Sequence, residues 1–225
     1  MAHTKRIAVG SDKEHVWAVT PAPGHHSKGK CISLLALIRD KLKYADKSRE
    51  AMKIINNGMV LVNGNPRKDY KYNIGLMDVI SIPKAKKNFR AMPNKKGLTF
   101  KEISDDETKV KLCKILDKSI IKGGAIQLNL HDGTNIIIPK DSDKKYYTKD
   151  TVIIDPKDKK ILDSIEFNIG NTGLVVSGRH TGKVGKIEEI IKATATRKSL
   201  TVIDGMPTLT DYVFVIGKDK PMISV

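Results

Sequence analysis

Three places in this sequence hold residue types that could do chemistry on a ligand. The first is a run of cations and amides: Arg39, Lys41, Lys43, Lys47, Arg49 and Lys53, followed by Asn63, Asn65, Arg67 and Lys68. Guanidinium and ammonium groups at this density bind phosphates rather than break bonds. The second continues it, with Lys84, Lys86, Lys87 and Arg90 in a stretch from Pro83 to Lys101 that holds no acidic residue. The third is Arg179, His180, Lys183 and Lys186, set among Gly178, Gly182 and Gly185. Glycines there let the backbone approach a ligand while the side chains supply charge. A nucleotide phosphate loop requires Gly-x-x-x-x-Gly-Lys followed by Ser or Thr. Here Gly178 and Gly182 are too close and Val184 follows Lys183, so that reading fails.

Other reactive residue types lack the partners that chemistry needs. His131-Asp132 has no evident nucleophile and sits where Gly133 signals a turn. His25-His26 near Cys31 fits no common zinc spacing, and Cys31 and Cys113 form no Cys-x-x-Cys pair. We therefore assign no catalytic residue, metal or cofactor, and expect two reduced, structurally ordinary thiols.

Charge points the same way. The net charge is +16, and it is unevenly spread: residues 1–101 carry 21 Lys and Arg against 7 Asp and Glu, residues 102–170 carry 12 against 13, and residues 171–225 carry 8 against 5. A polyanion should meet mainly the N-terminal half. No apolar run is long enough for a membrane span, and no long basic amphipathic helix or signal-peptide core is visible, so the sequence predicts a soluble intracellular protein with no membrane partner.

The elements that must position these residues follow from periodicity. Residues 1–33 read as a basic extended arm, rich in Pro and Gly, with Trp17 expected to pack on a neighbouring domain. Leu34, Ile38 and Leu42 make an apolar stripe on a first helix that leaves Arg39, Lys41 and Lys43 outward. A second helix starts near Asp46 or Ser48, shows Arg49 and Lys53 on one face and ends at Gly58. Val60 and Val62 then alternate into the hairpin signal Asn63-Gly64. Residues 84–101 read as a basic linker. Alternation in Ile126–Leu130, Ile136–Ile138, Val152–Ile154 and Ile161-Leu162 predicts a β-rich middle over 102–170, and further strands from 171 to 217 predict a barrel, with a frayed tail from Lys218.

The basic helix, the Arg49-Glu50-Ala51 of the second helix and Val60-Leu61-Val62-Asn63-Gly64 resemble the small RNA-binding domain first described in ribosomal protein S-four, over residues 34–83. Asn171 to Ile187 resembles the KOW motif, a hairpin of SH3-like barrels, over residues 171–225. Their order, with Pro23-Gly24, Leu37 to Ala45, Met77-Asp78-Val79-Ile80 and Gln127-Leu128-Asn129-Leu130-His131-Asp132-Gly133, is similar to the archaeal and eukaryotic small-subunit ribosomal protein S-four-e family. His25, Asn73, Ser177 and His180 depart from that family's usual residues.

The resemblance implies an α+β multidomain fold. It also implies a non-catalytic constituent of the small ribosomal subunit, cytoplasmic in the ribosome and monomeric when isolated. Its partners would be ribosomal RNA, held at the three cation sets, and neighbouring ribosomal proteins. A KOW-bearing transcription or translation factor and an RNA-modifying enzyme are the rival readings. The enzyme would need a catalytic domain, and the middle segment is too short and plain to supply one.

Overall fold

The computed structural model describes residues 2–3, 18–140 and 144–224. Trp17 and the cations of residues 4–17 lie outside them. The chain forms two compact units, Met1–Lys111 with Pro156–Asp158, and Leu112–Asp155 with Lys159–Val225.

In the first unit β1 (Ala2–His3) pairs with β2 (Ala18–Val19), and β3 (Ile32–Ser33) leads into α1 (Leu34–Ala36). A π-helical turn, Leu37–Lys41, extends α1, and α2 spans Ser48–Asn56. Strands β4 (Leu61–Val62), β5 (Asn65–Pro66), β6 (Asn73–Ile74), β7 (Val79–Ile82), β8 (Lys87–Asn94) and β9 (Gly97–Ile103) follow. They make one sheet in the order β5-β4-β7-β8-β9, with β3 and β6 paired beside it.

The sequence produces these elements by recognisable means. Ser33 Oγ accepts from Ala36 N at 3.4 Å and starts α1. At α2, Glu50 in the first turn accepts from the Asp46 and Lys47 amides at 3.2 Å each, and Gly58 at φ 69° ends it. Asn63 and Gly64 take φ 51° and 75°, as a tight hairpin between β4 and β5 requires. The core draws on both helices and the sheet: Leu34, Leu35, Leu37, Ile38, Ile55, Val60, Val62 and Ile80 are all fully buried. Leu34 to Ile38 are thus buried on every side rather than along the single stripe that spacing suggests.

Two expectations change here. The stretch 84–101 is no linker: β8 and β9 are a long hairpin paired to β7 through Val79–Arg90, with Phe89, Ala91 and Leu98 in the core. Nor does the arm stay apart. Ala22 N donates to Lys71 O at 2.8 Å, Ile32 pairs with Ile74, and Cys31 is wholly buried. Gly75 makes room for this segment, since a Cβ there would stand 2.3 Å from His26 Cγ. Gly75→Ala is expected to destabilise the fold by about 1–3 kcal/mol through overpacking, read from the urea midpoint.

Burial pushes the Cys31 thiol up to about 11, with the Asp78 charge adding to it. Cys113 is buried as well. Both thiols should resist iodoacetamide at pH 8 in the native protein and react after unfolding, because the thiolate is the nucleophile. Rapid native labelling of Cys31 would contradict this packing.

Apart from its first residue, Lys111, which belongs to the first unit, β10 (Lys111–Ile120) lies in the second unit, in one sheet with β11 (Ile126–Leu130), β12 (Asn135–Ile138), β13 (Thr151–Ile154) and β14 (Ile161–Ile165), ordered β12-β11-β10-β13-β14. The second unit also holds β15 (Thr172–Val175), β16 (Val184–Ile191), β17 (Leu200–Ile203), β18 (Met206–Leu209) and β19 (Val213–Gly217), ordered β18-β17-β16-β15-β19. Asp204 and Gly205, at φ 45° and 72°, turn β17 into β18. The tail is partly held, with Met222 N donating to Ile216 O at 3.0 Å and Ile223 buried.

Candidate nucleic-acid interface

The hairpin tip that carries Asn63 and Asn65 is fastened from beneath by Asp78, the residue before β7. Asn63 Nδ2 donates to Asp78 Oδ1 at 2.8 Å, and Asn63 Oδ1 accepts from Val79 N at 3.0 Å. Asp78 Oδ1 also accepts from Lys111 Nζ at 2.8 Å, while its Oδ2 takes Gly75 N and meets His26 Nε2, each at 2.9 Å. Burial alone would raise this carboxyl's pKa. The Lys111 charge and the hydrogen bonds from His26 and Asn63 outweigh burial and hold it well below the usual carboxylate range. Asn63 is therefore a latch for the tip, and its amide is committed inward.

Two cations expected on phosphates are committed inward too. Arg39 ion-pairs with the adjacent Asp40 and donates from Nη1 to Ser48 Oγ at 2.6 Å, which ties the π-helical turn to the start of α2. Its side chain is 10% exposed. Arg90 is 1% exposed; Nη1 meets Glu107 Oε2 at 2.9 Å and Nη2 donates to the Glu107 and Val110 carbonyls. Spacing could not separate these from their neighbours, because Arg90 in β8 is buried against Glu107 and the Val110 carbonyl while Lys87 in the same strand is exposed.

The remaining cations of the set stand outward. Lys43, Lys47, Arg49 and Lys53 are exposed, with Arg49 and Lys53 one turn apart on α2, and Lys41 is half-buried. Lys68 is exposed and passes the end of α2, 3.6 Å from where a Cβ on Gly58 would be. Asn65 is half-buried. Lys84, Lys86 and Lys87 are exposed at the turn into β8, where Lys87 makes a surface pair with Glu102 at 3.3 Å. The arrangement offers ammonium and guanidinium groups along one helix and its adjoining hairpins, a surface suited to phosphates at intervals along a backbone.

Sequence reading missed a stacked group beside it. Arg67 lies 4.6 Å over the Tyr72 ring, His25 approaches the same ring at 6.2 Å, and Lys71 lies 5.6 Å over Tyr70. Its only signal was Tyr70-Lys71-Tyr72 next to basic residues. Tyr70 and Tyr72 are half-buried and pack on the core of the first unit, so these cations cover rings that belong to the fold.

In the second unit Gly178 and Gly182 adopt φ 91° and 85°, which shapes the loop between β15 and β16. Arg179 and Lys183 are exposed on it and His180 is half-buried, while Lys186 is exposed just beyond it in β16. Gly185 is needed for a close approach, since a Cβ would stand 2.1 Å from Asp204 Oδ2, and Asp204 Oδ1 accepts from Lys186 N at 2.9 Å.

Ligand-type atoms of Cys113, His131 and Asp132 lie within 4.8 Å of one another. His131 Nδ1 accepts from Lys114 N at 3.2 Å and Asp132 Oδ1 accepts from Thr134 N at 3.0 Å. A neutral imidazole accepting at Nδ1 carries its proton on Nε2, so neither nitrogen is left to ligate a metal. The group suits a hydrogen-bonded turn.

Comparison with known proteins adds an independent line. The model described as Ribosomal family S4e matches residues 85–161, the S4 domain matches 34–80, and the KOW motif matches 169–203. The chain is 44% identical over 219 residues to the small ribosomal subunit protein eS4 of Methanothermobacter thermautotrophicus, covering 95% of this chain and 89% of that one. It is 41% identical to the eS4 protein of Ignicoccus hospitalis, covering 99% of this chain and 94% of the relative. The crystal structure of 30S ribosomal protein S4e from Thermoplasma acidophilum superposes with a TM-score of 0.73 at 34% identity, covering 84% of this chain and 96% of that one. The shared fold is α+β and multidomain, with an S4 domain and a KOW motif.

Proposed function

Because the chain belongs to the ribosomal family S4e, we propose that it is a structural constituent of the small ribosomal subunit that binds ribosomal RNA through its basic surfaces. Identity across nearly the whole chain with relatives named small ribosomal subunit protein eS4 carries this reading. The exposed Lys43, Lys47, Arg49, Lys53 and Lys68 support it, since they offer phosphate ligands on a folded scaffold. Double-stranded RNA hides its base edges in a deep narrow groove, so recognition runs through shape and phosphate position.

Its role is one of assembly and support without catalysis of its own. The protein works in the cytoplasm within the ribosome, beside other ribosomal proteins, and is a monomer when isolated. Among the described residues no helix is long and apolar enough to cross a membrane.

Sedimentation of a lysate from the source organism tests the reading. After a high-salt wash the protein should remain with the small subunit in stoichiometric amount. Migration in light fractions, or release at modest salt, would favour a transient RNA-binding factor.

A further inference from the structure

The second unit contains a basic loop that none of the three cation sets includes. Residues 192–199, Lys-Ala-Thr-Ala-Thr-Arg-Lys-Ser, join β16 to β17, and Lys192 to Lys198 are all exposed. The loop carries Lys192, Arg197 and Lys198 and no acid. Thr194 N donates to Arg197 O at 2.9 Å, a tight turn that sets Lys192 on one side and Arg197 with Lys198 on the other.

One short element connects this loop to the KOW loop. The 3₁₀ turn Thr210–Tyr212 holds both. At its first residue, Thr210 N donates to Ser199 O at 3.1 Å, and its hydroxyl meets Thr201 Oγ1 at 3.0 Å. At its last residue, Tyr212 O accepts from Val176 N at 2.8 Å, and the ring lies 3.3 Å from where a Cβ on Gly178 would be. Three residues of 3₁₀ helix rise only about 6 Å, so the feet of the two loops stand on the order of 10 Å apart. Thr210 is buried and Tyr212 half-buried, which fixes that spacing against the sheet.

We infer that loop 192–199 is the second arm of an RNA clamp, with the KOW loop as the first arm and the Thr210–Tyr212 turn as its floor. Cations on both arms hold the phosphates of one RNA segment. The Thr194, Thr196 and Ser199 hydroxyls add uncharged donors, which suit phosphate oxygens and 2′-hydroxyls. Clustered cations without acids favour a polyanion over a protein partner, whose interfaces exclude Lys from their centres. The two arms act as linked contacts: once one has engaged, the other binds at high effective concentration. This inference rests on the ribosomal RNA reading above.

The full-length chain tests it in two ways. Reversing Lys192, Arg197 and Lys198 to Glu should lower the salt slope of ribosomal RNA binding by about 2–3, since each lost phosphate contact contributes ~0.7–0.9. An unchanged slope in that variant, alongside a normal slope in wild type, overturns the clamp and leaves the proposed function standing. A wild-type chain that binds ribosomal RNA no better than heparin overturns both. A cleavage reagent tethered at Ala195→Cys and another at Thr181→Cys, each in reconstituted small subunits, should cut the same RNA segment, because Cys31 and Cys113 are buried and take no label. Cuts in two unrelated segments, or capture of a neighbouring protein at residue 195, would also overturn it.

Discussion

Replacing Asp78 with alanine is expected to cost the first unit about 3–5 kcal/mol, the usual result of removing one member of a buried ion pair. The side chains of Asp78 and Lys111 are each 3% exposed. The variant would take one shared carboxylate partner from Lys111, His26 and the Gly75 amide, and release Asn63 from beneath the hairpin tip. Asp78→Asn keeps the shape while removing the charge, so it should cost nearly as much. Urea unfolding of the full chain, followed by proteolytic mapping of the first unit, reads the loss. A change below about 1 kcal/mol would mean that the network contributes little net stability, as some buried pairs do.

The same carboxyl predicts how stability depends on pH. Its pKa in the folded protein is well below the ordinary value, because Lys111, His26 and Asn63 outweigh the effect of burial. A depressed carboxyl stabilises the fold at every pH above its unfolded value, near ~3.9, and that contribution is lost as pH falls through the folded value. The first unit should therefore weaken below about pH 4, and Asp78→Asn should flatten this acid limb. Equal acid sensitivity in wild type and in that variant would assign the limb to other carboxylates.

This hub was not legible in the sequence, and the reason is physical. His26, Asp78 and Lys111 are scattered along the chain: β3–β6 pairing and Asn73 hold the His26 segment near Asp78, and Arg90 of β8 holds the Val110 carbonyl next to Lys111. What was legible is local. Asn63-Gly64 and Asp204-Gly205 force positive φ at adjacent residues and so announce their hairpins. The β8–β9 hairpin was hidden because five lysines between residues 84 and 96 mask the alternation of Phe89, Ala91 and Pro93. Proline is also disfavoured inside a central strand, which applies to Pro93. It is tolerated because β7 pairs with β8 only as far as Arg90, so the edge beyond has no ladder bond to lose. Composition likewise overstated the binding surface. Arg90, Lys111 and Lys114 are buried, with Lys114 donating to the Asp211 and Val213 carbonyls, so these cations hold the fold together.

That division of the cations gives the second large expected effect. Reversing Lys47, Arg49 and Lys53 to Glu should weaken ribosomal RNA binding by several kcal/mol and cut the salt slope by about 2–3, since all three are exposed and each is assigned to a phosphate. Thermal stability should hardly move. Reversing Arg39 and Arg90 should do the opposite. Both would lose their carboxylate partners and hydrogen bonds, so the melting temperature should fall, while the slope measured on the folded fraction stays near that of wild type. Lys144, Lys145 and Lys159, exposed in the second unit, make the control set. Lys157 does not qualify, because its Cβ lies 3.3 Å from where a Cβ on Gly64 would be, beside the hairpin tip itself. Filter binding across a salt series, with circular dichroism melts of each variant, separates the outcomes. A slope lost equally with the buried pair and the exposed trio would mean that binding follows the integrity of the fold, and the α2 face would lose its place as the principal phosphate contact.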